Sequence, residues 1–272
     1  MAYELKTEGS NWYGNLSLWD KEICPQKHTS LFEVVPLAML SYPNLAFTFF
    51  DDFITQPSTK ASQSGHWAVT EDDGAGGTDA VQEAANGVYR HYSDGDDHDE
   101  AYVHSNLEQF KLQAGKHLFW QARVKLTEGN TNTANFIVGL SENVGADHMQ
   151  NDGAGPPANY DGIVWYKVDG TMSLYFETSL ATAQVTSAAL ATHTSGTWYE
   201  LGAWCKPATA TTFTVYPYYR IGTTNGVLYA TTPHTLTLTG HGEMEAFFGV
   251  KQGATSTEEY IEIDYFWVCQ ER

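Results

Sequence analysis

The chain has 272 residues and a formal net charge of −19 at pH 7, from 14 Lys and Arg against 33 Asp and Glu. Nucleic-acid phosphates and anionic membrane surfaces both bind clustered basic residues, so this charge argues against either partner. No apolar stretch reaches the length of about 18 residues that a membrane span needs. Aromatic residues make up 14% of the chain and charged residues 17%, a composition that favours strands over helices.

Residues 1–45 differ from the rest because Pro25, Pro36 and Pro43 interrupt any long regular element. Large apolar side chains are frequent there, which argues against a freely solvated linker. We interpret this stretch as an extended N-terminal arm that packs on a partner or back on its own domain. The predicted partner-binding residues are Trp12, Trp19, Leu31, Phe32, Val35, Leu37 and Leu40.

From residue 46 onward, apolar and polar residues alternate in the manner of half-buried strands. The clearest runs lie at residues 120–126, 172–177, 244–251 and 261–269. Asp169-Gly170 predicts a two-residue hairpin turn between two of the strands, and Asn225-Gly226 predicts another. About a dozen short strands separated by Gly-rich turns are typical of a sandwich. The sequence therefore predicts an all-β fold, an antiparallel jelly-roll β-sandwich over residues 46–272.

The strongest concentration of charge is an acidic segment that follows one predicted strand. Hard oxygen ligands around a glycine turn are suited to Ca²⁺, but the spacing of an EF-hand is absent. Two interpretations stay open, a Ca²⁺ site or a solvated loop. The candidate ligands are Asp94, Asp96, Asp97, Asp99 and Glu100. We expect no other cofactor, because no His or Cys cluster has metal-ligand spacing.

Glu262-Ile263-Asp264 is the pattern closest to a catalytic pair. On a strand these two carboxylates point to one face, and glycoside hydrolysis uses two carboxylates. The trio resembles the start of the Glu-x-Asp-x-x-Glu motif of laminarinase-like glycoside hydrolases, but Trp267 stands where the third carboxylate belongs. We therefore assign no catalytic residues and expect a protein that is not an enzyme.

An ordered set of short segments resembles a known group of proteins. It includes Phe50-Asp51-Asp52-Phe53 and the ending at residues 263–272. The other segments lie at residues 35–45, 110–116, 119–125, 136–140, 198–202 and 248–251. The set is similar to the laminin-G or concanavalin-like jelly-roll proteins encoded beside the major capsid protein of tailed phages. This resemblance implies a virion protein that decorates or cements the capsid.

The resemblance and the residues together give the expected function. A cement protein needs a rigid body, an arm for its neighbours and no chemistry, which fits the arm and the incomplete catalytic motif. The expected partners are the major capsid protein and neighbouring copies of the chain, as a homotrimer. The expected location is the capsid surface of a virion made in the host cytoplasm. Two rival functions stay open, a carbohydrate-binding module and a laminarinase-like glycoside hydrolase.

Overall fold

The structure is a computed structural model that describes residues 43–54, 66–71, 80–82, 87–93, 95–222, 228–229, 232–254 and 259–272. Within these residues the chain forms seventeen strands and no helix, arranged in two sheets whose described pairings are all antiparallel. The all-β prediction is therefore confirmed. The part of the chain described here contains no helix able to span a membrane.

The two sheets share the strands unequally. The larger, nine-stranded sheet contains β1 (Ala46–Asp51), β3 (Ala80–Val81), β4 (Tyr89–Tyr92), β6 (Leu118–Thr127), β12 (Trp198–Pro207), β13 (Thr212–Ile221), β14 (Leu228–Tyr229), β15 (His234–Thr237) and β17 (Tyr260–Glu271). The eight-stranded sheet contains β2 (Trp67–Glu71), β5 (Glu100–Ser105), β7 (Ala134–Ser141), β8 (Gly162–Lys167), β9 (Ser173–Leu180), β10 (Ala183–Thr186), β11 (Ala191–Thr192) and β16 (Glu245–Gln252).

Strand order explains why the sandwich is a jelly roll. The nine-stranded sheet runs β14-β13-β12-β6-β17-β4-β3, and the eight-stranded sheet runs β10-β9-β8-β7-β16-β5-β2. Neighbours such as β6 and β17 are far apart in sequence, so the chain crosses repeatedly between the sheets. One apolar core fills the space between them, and it includes the buried rings of Trp67, Trp120 and Trp165.

A β-bulge in β17 corrects one detail of the predicted alternation. The pairing of β17 with β6 shifts between Ile263 and Tyr265. Because a one-residue insertion moves every later side chain to the other face, Phe266 enters the core and Trp267 leaves it. The simple alternation had placed Tyr265 and Trp267 on the same face as Ile263.

The predicted hairpin around Asp169-Gly170 exists, but its turn is longer than two residues. The last residue pair between β8 and β9 before the turn is Tyr166 with Tyr175, so several residues connect the strands. Gly170 has a φ of +77° and donates its backbone N–H to the carbonyl of Asn132. The turn is therefore fixed by a neighbouring loop as well as by its own residues. Asn225-Gly226 lies outside the described residues.

Pro217 lies inside β13, which has strands on both sides. On one side it is opposite Ala203 of β12. On the other side the described pairings are those of β15 with residues 212–215 and of β14 with residues 218–219, and neither includes the proline. Since proline cannot donate to a sheet, such a position is where a strand tolerates it.

The outer face of the eight-stranded sheet is covered by the long segment between β7 and β8. Val144, Met149 and Tyr160 from this segment pack on side chains that point away from the core. Those sheet side chains include Tyr102 and Phe247, both fully buried. The segment therefore supplies a second, smaller apolar cluster on that side.

Candidate functional site

The outer face of the nine-stranded sheet has a different character. Charged and aromatic side chains alternate across its central strands, and we call this surface the ionic face. It is formed by Arg90, Arg123, Lys125, Arg220, Glu200, Glu262 and Asp264, with the rings of Tyr92, Trp198, Tyr260 and Tyr265.

Strand register places the charges of the ionic face in two rows. In the first row Glu262 of β17 is opposite Arg90 on one side and Lys125 on the other, and Lys125 is opposite Trp198. In the second row Glu200 of β12 is opposite Arg123 on one side and Arg220 on the other. Opposite charges at directly paired positions stabilise a sheet.

Each carboxylate of the ionic face is engaged by at least one cation. Arg90 donates from Nη2 to Glu262 at 2.7 Å and from Nε at 3.1 Å, and Lys125 pairs with the same carboxylate. Arg123 pairs with Asp264, and Arg220 pairs with Glu200. These contacts fix the cations in position before any ligand arrives.

The cations are nearer to solvent than the carboxylates. The side chains of Arg90 and Lys125 are 25% and 22% exposed, whereas Glu262 between them is 4% exposed. The side chain of Arg123 is 29% exposed and that of its partner Asp264 is 13% exposed. Arg220 is likewise more exposed than its partner Glu200. The outermost layer of the ionic face is therefore positive.

Aromatic rings are interleaved with these cations. The Arg123 guanidinium lies 4.4 Å from the ring centre of Trp198, and Lys125 Nζ lies 5.0 Å from it. Arg90 lies 4.4 Å from the ring centre of Tyr260. Trp198 and Tyr260 are half-buried, so each retains accessible ring surface. Such contacts add cation–π attraction to the ion pairs.

A layer of buried groups supports the ionic face from below. Gln121 donates to Glu200 at 3.2 Å and also to the hydroxyl of Tyr265. Burial, and then the charge of Glu200, raises the pKa of Tyr265, so its hydroxyl keeps its proton. Tyr218 lies over Gly202 and donates to the carbonyl of Trp120 at 2.7 Å.

A second candidate is a cavity of about 330 Å³ in the segment that covers the other sheet. Its lining includes Glu142, Asn143, Asn159 and Tyr160. Burial, and then the nearby charge of Asp161, raises the pKa of Glu142. The cavity is polar, but its side chains mostly belong to one loop rather than to the sheet, so it is a less rigid site.

The predicted Ca²⁺ ligands are only partly brought together. Asp94 lies outside the described residues, and Asp96 and Asp97 are exposed. Glu100 is buried, where it accepts hydrogen bonds from Lys251 at 2.9 Å and Tyr102 at 2.8 Å. Among the described residues no group of three or more His, Cys, Asp or Glu side chains has a metal-binding arrangement. The Ca²⁺ site stays a prediction.

Glu262 and Asp264 do lie on one face, as the sequence suggested, but both are ion-paired to cations. Trp267, in place of the third carboxylate of the motif, is fully buried. The predicted arm residues Trp12, Trp19, Leu31, Phe32, Val35, Leu37 and Leu40 lie outside the described residues, so their partner-binding role stays a prediction.

Sequence reasoning missed the ionic face. The alternation in β6 placed Arg123 and Lys125 on the side away from the core, but it could not indicate which charges lie opposite them. The signal was present as two charged residues two positions apart in each strand, Arg123 and Lys125 in β6 and Glu262 and Asp264 in β17.

Comparisons with known proteins agree on the fold. No family model and no curated protein sequence matches the chain. Peanut lectin has a TM-score of 0.52 at 9% identity, covering 83% of this chain and 97% of the lectin. An endo-1,3-β-glucanase from Streptomyces sioyaensis has a TM-score of 0.50 at 13% identity, covering 84% and 98%.

A third similar structure is a protein of unknown function from Shewanella oneidensis MR-1. Its TM-score is 0.50 at 15% identity, covering 87% of this chain and 94% of that protein. At such identities the likeness concerns the fold alone. The predicted concanavalin-like jelly roll is thus confirmed.

Proposed function

We propose that the protein binds carbohydrate through the ionic face and does not cleave it. The observation that supports this most directly is the set of half-buried rings of Trp198 and Tyr260 beside fixed hydrogen-bonding groups. A sugar ring has an apolar C–H side that packs on an aromatic ring and hydroxyl groups that bond to charged side chains. The ionic face offers both kinds of contact on rigid strands.

The similar structures are compatible with this proposal. One of them is a lectin and another is an endo-1,3-β-glucanase, so the same sandwich fold occurs in proteins whose names refer to carbohydrate. Because function depends on the site and not on the fold, the support for carbohydrate binding comes from the ionic face itself.

We expect no cleavage because both carboxylates of the β17 pair, Glu262 and Asp264, are ion-paired. A glycosidase needs one carboxyl group to donate a proton and a second to attack or activate water. Here Glu262 is 4% exposed and contacts two cations, while Asp264 contacts Arg123. We expect these carboxylates to hold the cations in place instead of reacting with substrate.

A glycan array tests the proposal. The protein should bind a subset of oligosaccharides, and Trp198→Ala should reduce binding at least fivefold because the stacking surface is lost. Leu107→Ala is the matched control, since Leu107 is 68% exposed and away from the ionic face. Failure of every glycan to bind, or equal binding by Trp198→Ala, would contradict the proposal. Release of reducing sugar from laminarin would contradict its second part.

A further inference from the structure

The ionic face presents positive charge on a strongly negative protein. Among the residues that the structure describes, four of the chain's 14 Lys and Arg residues lie on it, while the chain as a whole has a formal charge of −19. Glu200, Glu262 and Asp264 provide three negative charges there, all beneath the cations. A ligand that approaches from solvent therefore meets guanidinium and ammonium groups first.

We propose that the ligand of the ionic face is an acidic oligosaccharide, with carboxylate-bearing uronic acid units. This inference rests on the proposed function and names the substrate class of the same site. Guanidinium groups match carboxylates in geometry and bind them through paired N–H donors. An anionic sugar adds a charge-assisted hydrogen bond to an exposed cation, which a neutral sugar cannot do.

The arrangement retains donors for such a ligand. A guanidinium has five N–H donors, and Arg123 donates to Asp264 from Nη1. The Arg123 guanidinium carbon lies 4.4 Å from the ring centre of Trp198, a contact that uses none of its N–H donors. A uronate carboxylate can thus bind Arg123 or Lys125 while its sugar ring packs on the adjacent indole.

The negative charge of the whole molecule limits the length of an acidic ligand. Charges farther away than about 8–10 Å are largely screened at physiological salt, so a short acidic segment is attracted mainly by the nearby cations. A long polyanion would extend over the acidic remainder of the surface and be repelled. The expected ligand is an oligosaccharide of a few units.

The test compares hexamers that differ only in charge. Oligogalacturonate and oligoglucuronate are titrated into the protein by calorimetry beside their methyl esters, which have the same backbone without the negative charge. At least one acid should bind tenfold or more tightly than its ester, and its affinity should fall as NaCl rises from 50 to 300 mM.

A pair of variants assigns the effect to the ionic face. Lys125→Gln should weaken binding of the acid at least threefold while Glu262 keeps its contact with Arg90. Lys111→Gln removes the same charge from an exposed pair with Glu243, and it should change nothing. Thermal melting of both variants confirms that each is folded.

The outcomes separate this inference from the proposed function. If the esters bind as tightly as the acids, the inference fails and carbohydrate binding stands. If these hexamers and the glycan array both show no binding, both fail. If a thymidine hexanucleotide binds as tightly as the acidic hexamers, the ionic face binds anions in general, and the inference is overturned.

Discussion

Gly202 illustrates how one residue shapes the surface beneath the ionic face. A Cβ at this position would lie 1.9 Å from the Tyr218 hydroxyl oxygen and 2.3 Å from the Trp120 carbonyl oxygen. The absent side chain therefore allows Tyr218 to lie across β12 and to bond with β6. The requirement is for space, because Gly202 does not have a positive φ.

We expect Gly202→Ala to destabilise the protein by about 1–3 kcal/mol, the usual cost of overfilling a packed site. Urea unfolding monitored by circular dichroism measures it. Gly145→Ala is the control, since a Cβ there meets only the Asn143 carbonyl at 4.0 Å, and it should change stability by less than about 0.5 kcal/mol. Equal stability of the two variants would show that Tyr218 is not held as described.

Buried histidines make stability depend on pH. Burial, and for His148 also the charge of His104, lowers the pKa of His148 to about 4, and burial similarly lowers those of His193 and His234 to about 4. The unfolded value is about 6.5, so the unfolded chain takes up these protons first. Their contribution to stability is present above pH 6.5 and is lost as the pH falls toward 4.

We expect His148→Gln to reduce this acid sensitivity because glutamine does not titrate. The difference in unfolding free energy between pH 7 and pH 5 should be smaller in the variant than in the native chain by about 1 kcal/mol or more. His98→Gln, in a half-exposed loop position, is the control. An unchanged difference in His148→Gln would show that this ring does not resist protonation in the folded state.

The segment between β7 and β8 is an element whose packing can be measured. Met149 from this segment is fully buried on the outer face of the eight-stranded sheet. Met149→Ala should cost about 2–5 kcal/mol, the usual range for a buried methionine. Met172→Ala is the matched control because Met172 is 38% exposed, and it should cost far less. Similar losses for both would mean that the segment does not cover the sheet in solution.

The strands show which parts of the fold the sequence pattern could predict. Alternation in β6 and β16 identified the strands and the core faces, because each has one side in the core and no insertion. In β17 the same reasoning failed after Ile263, since a bulge leaves no local signal in the residues. The ionic face was missed for a related reason: strand order, which places β6 between β12 and β17, is set by contacts distant in sequence.

At the scale of the whole molecule, the arm at residues 1–45 and its capsid partners stay predictions. The arm would bury large apolar side chains, each contributing roughly 1.5–3 kcal/mol on docking. Removal of residues 1–42, which precede the described strands, should leave a folded sandwich that no longer binds undecorated capsids. Sedimentation of capsids with the full-length and shortened chains measures this. Equal co-sedimentation would exclude the arm as the anchor, and no binding by either would exclude decoration.

The proposed function depends on where carbohydrate binds on the molecule. Two surfaces compete, the ionic face on the nine-stranded sheet and the cavity lined by Glu142, Asn159 and Tyr160 beside the other sheet. They lie on different sheets, so the position of a bound sugar separates them without reliance on variants.

A crystal structure with the tightest-binding oligosaccharide from the glycan array makes this measurement. We expect a sugar ring in contact with the Trp198 indole and a polar group of the sugar within hydrogen-bonding distance of Arg123 or Lys125. A sugar bound in the Glu142 cavity, with the ionic face unoccupied, would contradict the account.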